Sequence, residues 1–513
     1  MGMKMFAAID VGSYELNLKI FEFLPGAGMK AVDNIRYRLD LGTDSFAHGK
    51  LPAGKVNELC RVLKEFSQIM KEYDITEYKA YGTSAIREIK NKKILLDQIE
   101  QKTGIVIEVL SNSKQRFLNY KSVAAKTAIF HKIIEKGTAI LDIGGGSIQM
   151  SLFDKDTLVA TQNMKLGVLR LKERLELLSS SRTKYEYLLD EMISSQLDVF
   201  KKLYLKDREI ENVIVIDDYI SNLVQSGVLG SKDGYITDAG LDVFMEEINS
   251  ISSEDRMTRF GIYDENSIAT YIAGNLTQKA VKVLNAKLIW APGAALCDGI
   301  AYEYGEKKKL LKIEHDFEED IVACAHNISK RYMGSRKRGE TLESIATNIF
   351  DSMKKISGLS KRDRLLLRIA TLLHDCGKYI SLYNLGICSY NIIISTEIIG
   401  LSHEEREIVA NVVKYNHLDF EYYEEMAMRT MISKEDYMRV AKLCAILRIS
   451  NGLDRSHKEK FRHITTRLKD SELLIHVQTN EDITLEKGLL RERADFFEEI
   501  FNVRPVIKQK KEI

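Results

Sequence analysis

Two short segments of this chain place an acid and glycine in the same pattern. Asp142-Ile143-Gly144-Gly145-Gly146-Ser147 closes the apolar run Ala139 to Leu141 and opens a second run, Ile148 to Phe153. Contiguous glycines let the backbone turn sharply and bring bare N–H groups against an anion, which makes a phosphate cradle. Asp142, at the end of the incoming strand, is placed to hold a hydrated Mg²⁺ that bridges phosphate oxygens. The glycines are contiguous and a strand-like run follows them, so this is not a dinucleotide-binding fingerprint; a plain hairpin turn or bulge is the other reading.

The second segment, Asp10-Val11-Gly12-Ser13, follows the apolar stretch Phe6 to Ile9 and precedes the alternation of Leu16, Leu18 and Ile20. The same design of strand, acid, glycine turn and returning strand recurs 132 residues later at Asp142. A repeat of this kind predicts two similar lobes facing each other across a cleft. Glu15 is a spare acid beside the first turn, unless its strand position points it to solvent. Between the two turns, Thr83-Ser84 follows a predicted strand, Tyr78 to Tyr81, and opens a helix that carries Arg87. Hydroxyls, amides and a guanidinium fork together suit an anion, although an ordinary N-cap with a surface arginine would read the same way.

The remaining pattern supplies elements to carry these groups. Val56, Leu59, Val62, Leu63, Phe66, Ile69 and Met70 have helical spacing over Lys55 to Tyr73. Ile105 to Leu110 reads as a strand, Lys114 to Ile129 and Thr183 to Leu205 as helices, and Val213 to Ile216 and Leu288 to Ala291 as strands. From Asp316 to Asn451 the pattern is helical. Beyond Asp454, the alternating Leu473, Ile475 and Val477, a helix over Leu485 to Phe501 and a strand at Val506 to Ile507 form a small α/β unit.

Asp10-Val11-Gly12-Ser13, Thr83-Ser84-Ala85-Ile86-Arg87-Glu88, Asp142 to Ser147 and Leu166-Gly167-Val168-Leu169-Arg170-Leu171 stand in the order and spacing of known motifs. With these four motifs the chain resembles the exopolyphosphatase/guanosine pentaphosphate phosphatase (Ppx/GppA) family, in its long form. The resemblance implies an α/β, two-lobed actin-like and Hsp70-like (ribonuclease H-like) ATPase fold with an interlobe cleft, then an all-α HD-like domain and the small α/β unit. The corresponding boundaries are 1–127 and 128–308 for the lobes, 309–455 for the helical domain and 456–513 for the last unit. It further implies a polyphosphate or guanosine nucleotide ligand, a Mg²⁺ cofactor and a homodimer. Asp10 and Asp142 would position Mg²⁺ or water, while Gly12, Ser13, Thr83, Ser84, Arg87, Gly144, Gly145, Gly146 and Ser147 would hold phosphoryl oxygens.

The departures from the family pattern concern the chemistry. The family places Ser-Gly-x-Glu-Glu-Ala-Arg after the strand ending near Leu110, and one of its glutamates activates water; here the run is Ser111-Asn112-Ser113-Lys114-Gln115-Arg116-Phe117. Neither a protonated lysine nor an amide can act as that base. A second expected carboxylate is Gln149. Tyr14 and Glu15 replace Asn and Ser, which leaves Glu15 as the one substitute base nearby. A glycine-rich phosphate loop after Val213 to Ile216 becomes Asp217-Asp218-Tyr219-Ile220-Ser221, whose two charges would repel an anion.

In the helical part, Leu372-Leu373-His374-Asp375-Cys376-Gly377-Lys378 matches the central signature of HD metallohydrolases. Adjacent His and Asp bind a metal only when further ligands converge. Thr341 stands where the earlier His is expected, no histidine follows Ile380 in the next segment, and His417 and Asp454 are the remaining candidates. A buried, hydrogen-bonded His-Asp pair is thus the expectation there, and a second metal is doubtful.

Composition narrows the class. The 75 basic and 74 acidic residues leave +1, which asks for neither specific nucleic acid nor a membrane surface, and the Lys508 to Lys511 tail is a weak polyanion signal. No window approaches the roughly 18 apolar residues of a membrane span, and Met1 to Phe6 lacks a signal-peptide core, so a cytoplasmic location is expected. The six cysteines form no C-x-x-C pair and read as free thiols. The expected activity is removal of the terminal phosphate of inorganic polyphosphate or guanosine pentaphosphate by Mg²⁺-assisted water attack, weakened by the missing glutamates. The alternative is an inactive polyphosphate or nucleotide sensor on the same fold.

Overall fold

The computed structural model describes residues 4–510 apart from 25–27, 179–181, 232, 263, 314, 431, 455, 457, 459 and 462. The chain forms two compact units, Met1–Asp316 and Phe317–Ile513.

The first unit contains two sheets. Strands β1 (Lys4–Val11), β2 (Glu15–Leu24), β3 (Gly28–Arg38), β4 (Tyr78–Gly82) and β5 (Ile107–Val109) form a sheet of order β3-β2-β1-β4-β5. β1 pairs antiparallel with β2 and parallel with β4. Strands β6 (Thr138–Ile143), β7 (Ile148–Asp154), β8 (Thr157–Met164), β9 (Asn212–Ile216), β10 (Tyr235–Thr237) and β11 (Leu288–Trp290) form the second, of order β10-β11-β9-β6-β7-β8. The central strands are nearly continuous apolar runs because both of their faces are covered; every residue of β6 is buried. Ile9, Val11, Leu16 and Leu18 pack on Leu59, Leu63 and Phe66 of the helix Ala53–Glu72 in one core, and Leu141, Ile143, Val213 and Val215 anchor another.

The repeat holds at the level of register. Asp10 lies opposite Asn17 across β1 and β2, and Asp142 lies opposite Gln149 across β6 and β7, each pair displaced by the same 132 positions. Gly12 N–H donates to Glu15 O at 3.0 Å, and Gly144 N–H to Ser147 O at 3.0 Å, so the two turns close identically. The predicted helix Lys114 to Ile129 is two helices, Asn112–Ala124 and Thr127–Ile134, and the predicted helix over Thr183 to Leu205 widens into a π-turn at Lys201–Leu205. Helix Asn112–Ala124 packs on helix Leu296–Lys307 at Gly299, where a Cβ would meet Leu118 O at 1.9 Å; only glycine permits that crossing.

In the second unit, helices from Phe317–Arg331 to Lys434–Leu453 lead into β12 (His463–Lys469), β13 (Glu472–Gln478), the helix Thr484–Phe501 and β14 (Arg504–Lys510). The three strands form a sheet of order β12-β13-β14, and the helix Thr484–Phe501 packs against the helix Lys434–Leu453. Among the described residues no helix is long and apolar enough to cross a membrane.

Candidate active site in the interlobe cleft

The ends of β1, β4, β6 and β9 open on one cavity of about 370 Å³, and its lining contains Asp10, Gly12, Ser13, Glu15, Thr83, Ser84, Arg87, Asp142 and Gly144 to Ser147. Every cleft residue singled out from the sequence is therefore brought to one place. Strands that end side by side at a topological crossing leave a crevice there, which is why the repeat positions a site.

The glycine turn is held from outside. Gly167 lies so close that a Cβ on it would meet Gly146 C at 2.2 Å, and the amides of Val168, Leu169 and Arg170 donate to Gly144 O and Gly145 O at 3.0–3.1 Å. Helix Val168–Leu178 thus consumes the turn's carbonyls, and the Gly145 and Gly146 amides donate to no group among the described residues. Arg170 Nε also donates to Gly146 O, at 2.9 Å. A turn with its carbonyls engaged and its amides open is an anion nest.

On the facing lobe, Ser13 and Ser84 share a hydroxyl hydrogen bond of 2.7 Å, and buried Thr83 leans on Val11 O at 3.4 Å. Arg87 donates to Asn112 Oδ1 at 2.6 Å, Gln115 Oε1 at 3.4 Å and Leu110 O. Burial pushes its pKa down to about 10, so it remains charged near neutrality.

Asp142 is already partnered. Arg116, from helix Asn112–Ala124, forms a buried ion pair with it and also donates to Asp142 O at 3.2 Å, Ser147 O at 2.7 Å and Ser147 Oγ at 3.2 Å. Asn119 Nδ2 donates to the other carboxylate oxygen at 2.9 Å. Burial still raises the Asp142 pKa against the pull of Arg116. Sequence reasoning quoted Arg116 only as part of a departing motif and missed Asn119; their helical i, i+3 spacing on the segment after β5 was the available signal.

Asp10 is the reverse case. Its Oδ1 is buried without a hydrogen-bond partner among the described residues, and its pKa stands well above the ordinary aspartate value because of burial, then the charges of Asp218 and Glu15. Glu15 and Asp218 are raised by burial as well, each with Arg36 as a counter-charge, Arg36 lying 3.6 Å from Glu15. Asp218 has exposed surface on the cleft, yet the surrounding walls displace much of its hydration. Three mutually repelling acids around an orphaned oxygen fit a cation. Asp217 serves a different purpose: both its oxygens accept from the amides of Ile220 and Ser221, at 3.0 and 2.8 Å, at the start of helix Ile220–Gln225. Burial raises it to about 6, so the Asp217 charge is only partly expressed near pH 6.

A family model described as the Ppx/GppA phosphatase family matches residues 20–308, and one described as Ppx/GppA phosphatase, domain III, matches residues 322–495. The chain belongs to the Ppx/GppA phosphatase family. A guanosine-5'-triphosphate,3'-diphosphate pyrophosphatase of Vibrio vulnificus is 18% identical over 446 residues, 86% of each chain. A bifunctional 3-dehydroquinate synthase/phosphatase of Fusobacterium nucleatum is 25% identical over 217 residues, 38% of this chain and 31% of that protein's own length. Among solved structures, an exopolyphosphatase from Cytophaga hutchinsonii (18% identity, TM-score 0.52) aligns over 60% of this chain and 100% of its own. The Ppx/GppA family member of Aquifex aeolicus (20% identity, TM-score 0.50) aligns over 60% and 99%. These likenesses establish the two-lobed actin-like fold.

In this Ppx/GppA protein the two positions where the family pattern has glutamates diverge. Gln115 lines the cleft beside Arg87, whereas Lys114 is absent from the lining and lies over the Tyr81 ring at 5.0 Å. Gln149 is buried, bonds Ser151 Oγ at 3.3 Å and does not line the cavity either.

In the domain III region, His374 Nδ1–H donates to Thr371 O at 2.8 Å, and its Nε2 lies 3.7 Å from Asp375. Arg338, on helix Arg336–Ser357, reaches Asp375 at 3.2 Å, Asn451 at 3.1 Å and Asp454 at 3.7 Å, and Lys378 adds a bond to Asp375 at 2.7 Å. The guanidinium stands between the two aspartates where a metal's charge would lie, so these residues do not fit a second metal. His417 is held by its Nε2 contact with His374 O at 2.7 Å, and burial lowers its pKa to about 4; burial lowers His374 too.

Proposed function

We propose that this protein binds the phosphoanhydride chain of inorganic polyphosphate or of a guanosine nucleotide in the interlobe cleft and removes the terminal phosphate slowly. The observation that carries this reading is the pairing of an open-amide turn, Gly145-Gly146, with the orphaned, acid-crowded Asp10 in one cavity. The amides, Ser13, Ser84, Arg87 and Arg170 take phosphoryl oxygens. Asp10, with Asp218, would hold a divalent cation such as Mg²⁺, which when bound would neutralise phosphate charge. Asp142 orients Arg116 and Asn119 along the cleft wall. Such chemistry rests on positioning and charge neutralisation.

Glu15, on the cleft lining beside Asp10, is the group suited to accept the proton of the attacking water, and burial, then the charge of Asp218, raises its basicity. With Gln115 where a carboxylate is expected, turnover should fall by a factor on the order of 10² to 10⁴. The same glutamine, together with the Arg116–Asp142 pair, favours a second reading, a phosphate-ligand sensor that binds without cleaving.

Phosphate release from long-chain polyphosphate and from guanosine pentaphosphate, measured with Mg²⁺, separates the two. Slow release that disappears in Asp10→Asn supports the enzyme. An inert parent chain that still binds polyphosphate, with activity appearing in Gln115→Glu, establishes the sensor instead.

A further inference from the structure

Away from the cleft, three side chains from distant segments of the first unit converge on one point. His131 Nδ1 lies 3.9 Å and His315 Nδ1 4.0 Å from the same atom, Asp156 Oδ1. All three donor atoms fall within 4.8 Å of one another. Both separations are longer than a hydrogen bond and lie at the outer limit of an ion pair, which would form only with protonated imidazoles.

Each ligand is positioned independently. His315 is buried, with its Nε2 on Tyr120 Oη at 2.7 Å, its ring edge-on to Phe130 and its Nδ1 4.0 Å from Asp156 Oδ1. His131 lies on helix Thr127–Ile134, its ring 5.4 Å from that of His315. Asp156 sits in the tight hairpin between β7 and β8, where Lys155 and Asp156 both adopt left-handed backbone at φ 51° and 61°. The hairpin is fixed to the helix by Asp156 N–H donating to Ile134 O at 2.9 Å. A hydrogen-bonded second nitrogen, as on His315, is the usual way a ligating imidazole is oriented.

We infer that His131, Asp156 and His315 form a binding site for a divalent transition-metal ion of the zinc class, with water completing the coordination. Two imidazoles and one carboxylate suit zinc or cobalt better than magnesium or calcium, which prefer all-oxygen ligands. Ligands about 2.0–2.1 Å from a tetrahedral ion stand roughly 3.4 Å apart, so the two nitrogen–oxygen separations need close by about half an ångström and the nitrogen–nitrogen separation, at most 4.8 Å, by no more than about 1.4 Å. The ion ties the segment that ends the first unit at Asp316 to the β7–β8 hairpin, a structural role separate from the cleft.

The test uses the full-length protein, stripped with a chelator and titrated with Co²⁺ and Zn²⁺. The expected result is one equivalent that remains bound in the Asp10→Asn variant, a visible Co²⁺ absorption band typical of low-coordinate nitrogen and oxygen ligation, and a rise in unfolding temperature with Zn²⁺. His131→Ala and Asp156→Asn, both at solvent-accessible positions, should each weaken binding at least about 100-fold, whereas Asp10→Asn should leave it intact. No stoichiometric uptake by the parent chain would overturn the site. Unchanged affinity in both ligand variants would overturn it equally.

Discussion

Replacing Arg116 by Met is the most informative single perturbation of the cleft. Arg116 and Asp142 have side-chain exposures of 5% and 8%, so the substitution strands a buried carboxylate beside Asn119 alone. Removing one partner of a buried pair costs about 3–5 kcal/mol, because the remaining charge loses its compensation. The loss should depend on pH. Burial already raises the Asp142 pKa, and without Arg116 it rises further, so protonation relieves the unpaired charge as pH falls. Chemical unfolding of the parent, Arg116→Met, Asp142→Asn and the double variant, at pH 7 and pH 5, measures this directly. The expected result is a deficit of roughly 3 kcal/mol or more at pH 7, smaller at pH 5, and largely removed when Asp142→Asn is added. A deficit below about 1 kcal/mol, equal at both pH values and untouched by the second substitution, would refute the reasoning.

Gln115→Glu should raise phosphate release by a factor on the order of 10² while Lys114→Glu leaves it unchanged, because only Gln115 lines the cleft; equal effects in a release assay would count against the placement. The two units should respond oppositely to pH. Asp10, Glu15, Asp217 and Asp218 have raised values in the folded state, Asp217 at about 6, so the fold binds their protons more tightly than the unfolded chain and loses stability as pH rises through those values. His417, lowered to about 4, and His374 stay neutral when folded, so the second unit loses stability as pH falls below the ordinary histidine value near 6.5. Hydrogen exchange by segment at pH 5 and pH 7 should show the crossover. Arg338→Met should destabilise the second unit by about 3 kcal/mol through the stranded Asp375 and Asp454, read by denaturant unfolding.

The two turns were legible in the sequence because a strand, an acid and a glycine turn leave a local signature, and the fold reproduces it down to the pairing of Asp10 with Asn17 and Asp142 with Gln149. Thr83 and Ser84 reach the cleft because they directly follow the end of β4, and Arg87 reaches it one turn later on the helix Ser84–Glu88. What the sequence withheld were tertiary partners. Arg116 and Asn119 share one helix face by their i, i+3 spacing, but that spacing does not say that both reach the Asp142 carboxylate. Arg338 likewise takes up Asp375 and Asp454 from a helix well before either of them. Asp217 read as a repelling charge, but helix amides engage both of its oxygens. The His131, Asp156 and His315 cluster draws on three segments with no common spacing, and only folding brings them together.

Cation binding at the cleft decides the central point, that Asp10 offers an open carboxylate while Arg116 has taken the corresponding place at Asp142. Mn²⁺ binding in the presence of polyphosphate, followed by electron paramagnetic resonance, compares the parent with Asp10→Asn and Asp142→Asn. The expected result is loss of the polyphosphate-dependent Mn²⁺ signal in Asp10→Asn and its retention in Asp142→Asn. Retention in Asp10→Asn with loss in Asp142→Asn would contradict it.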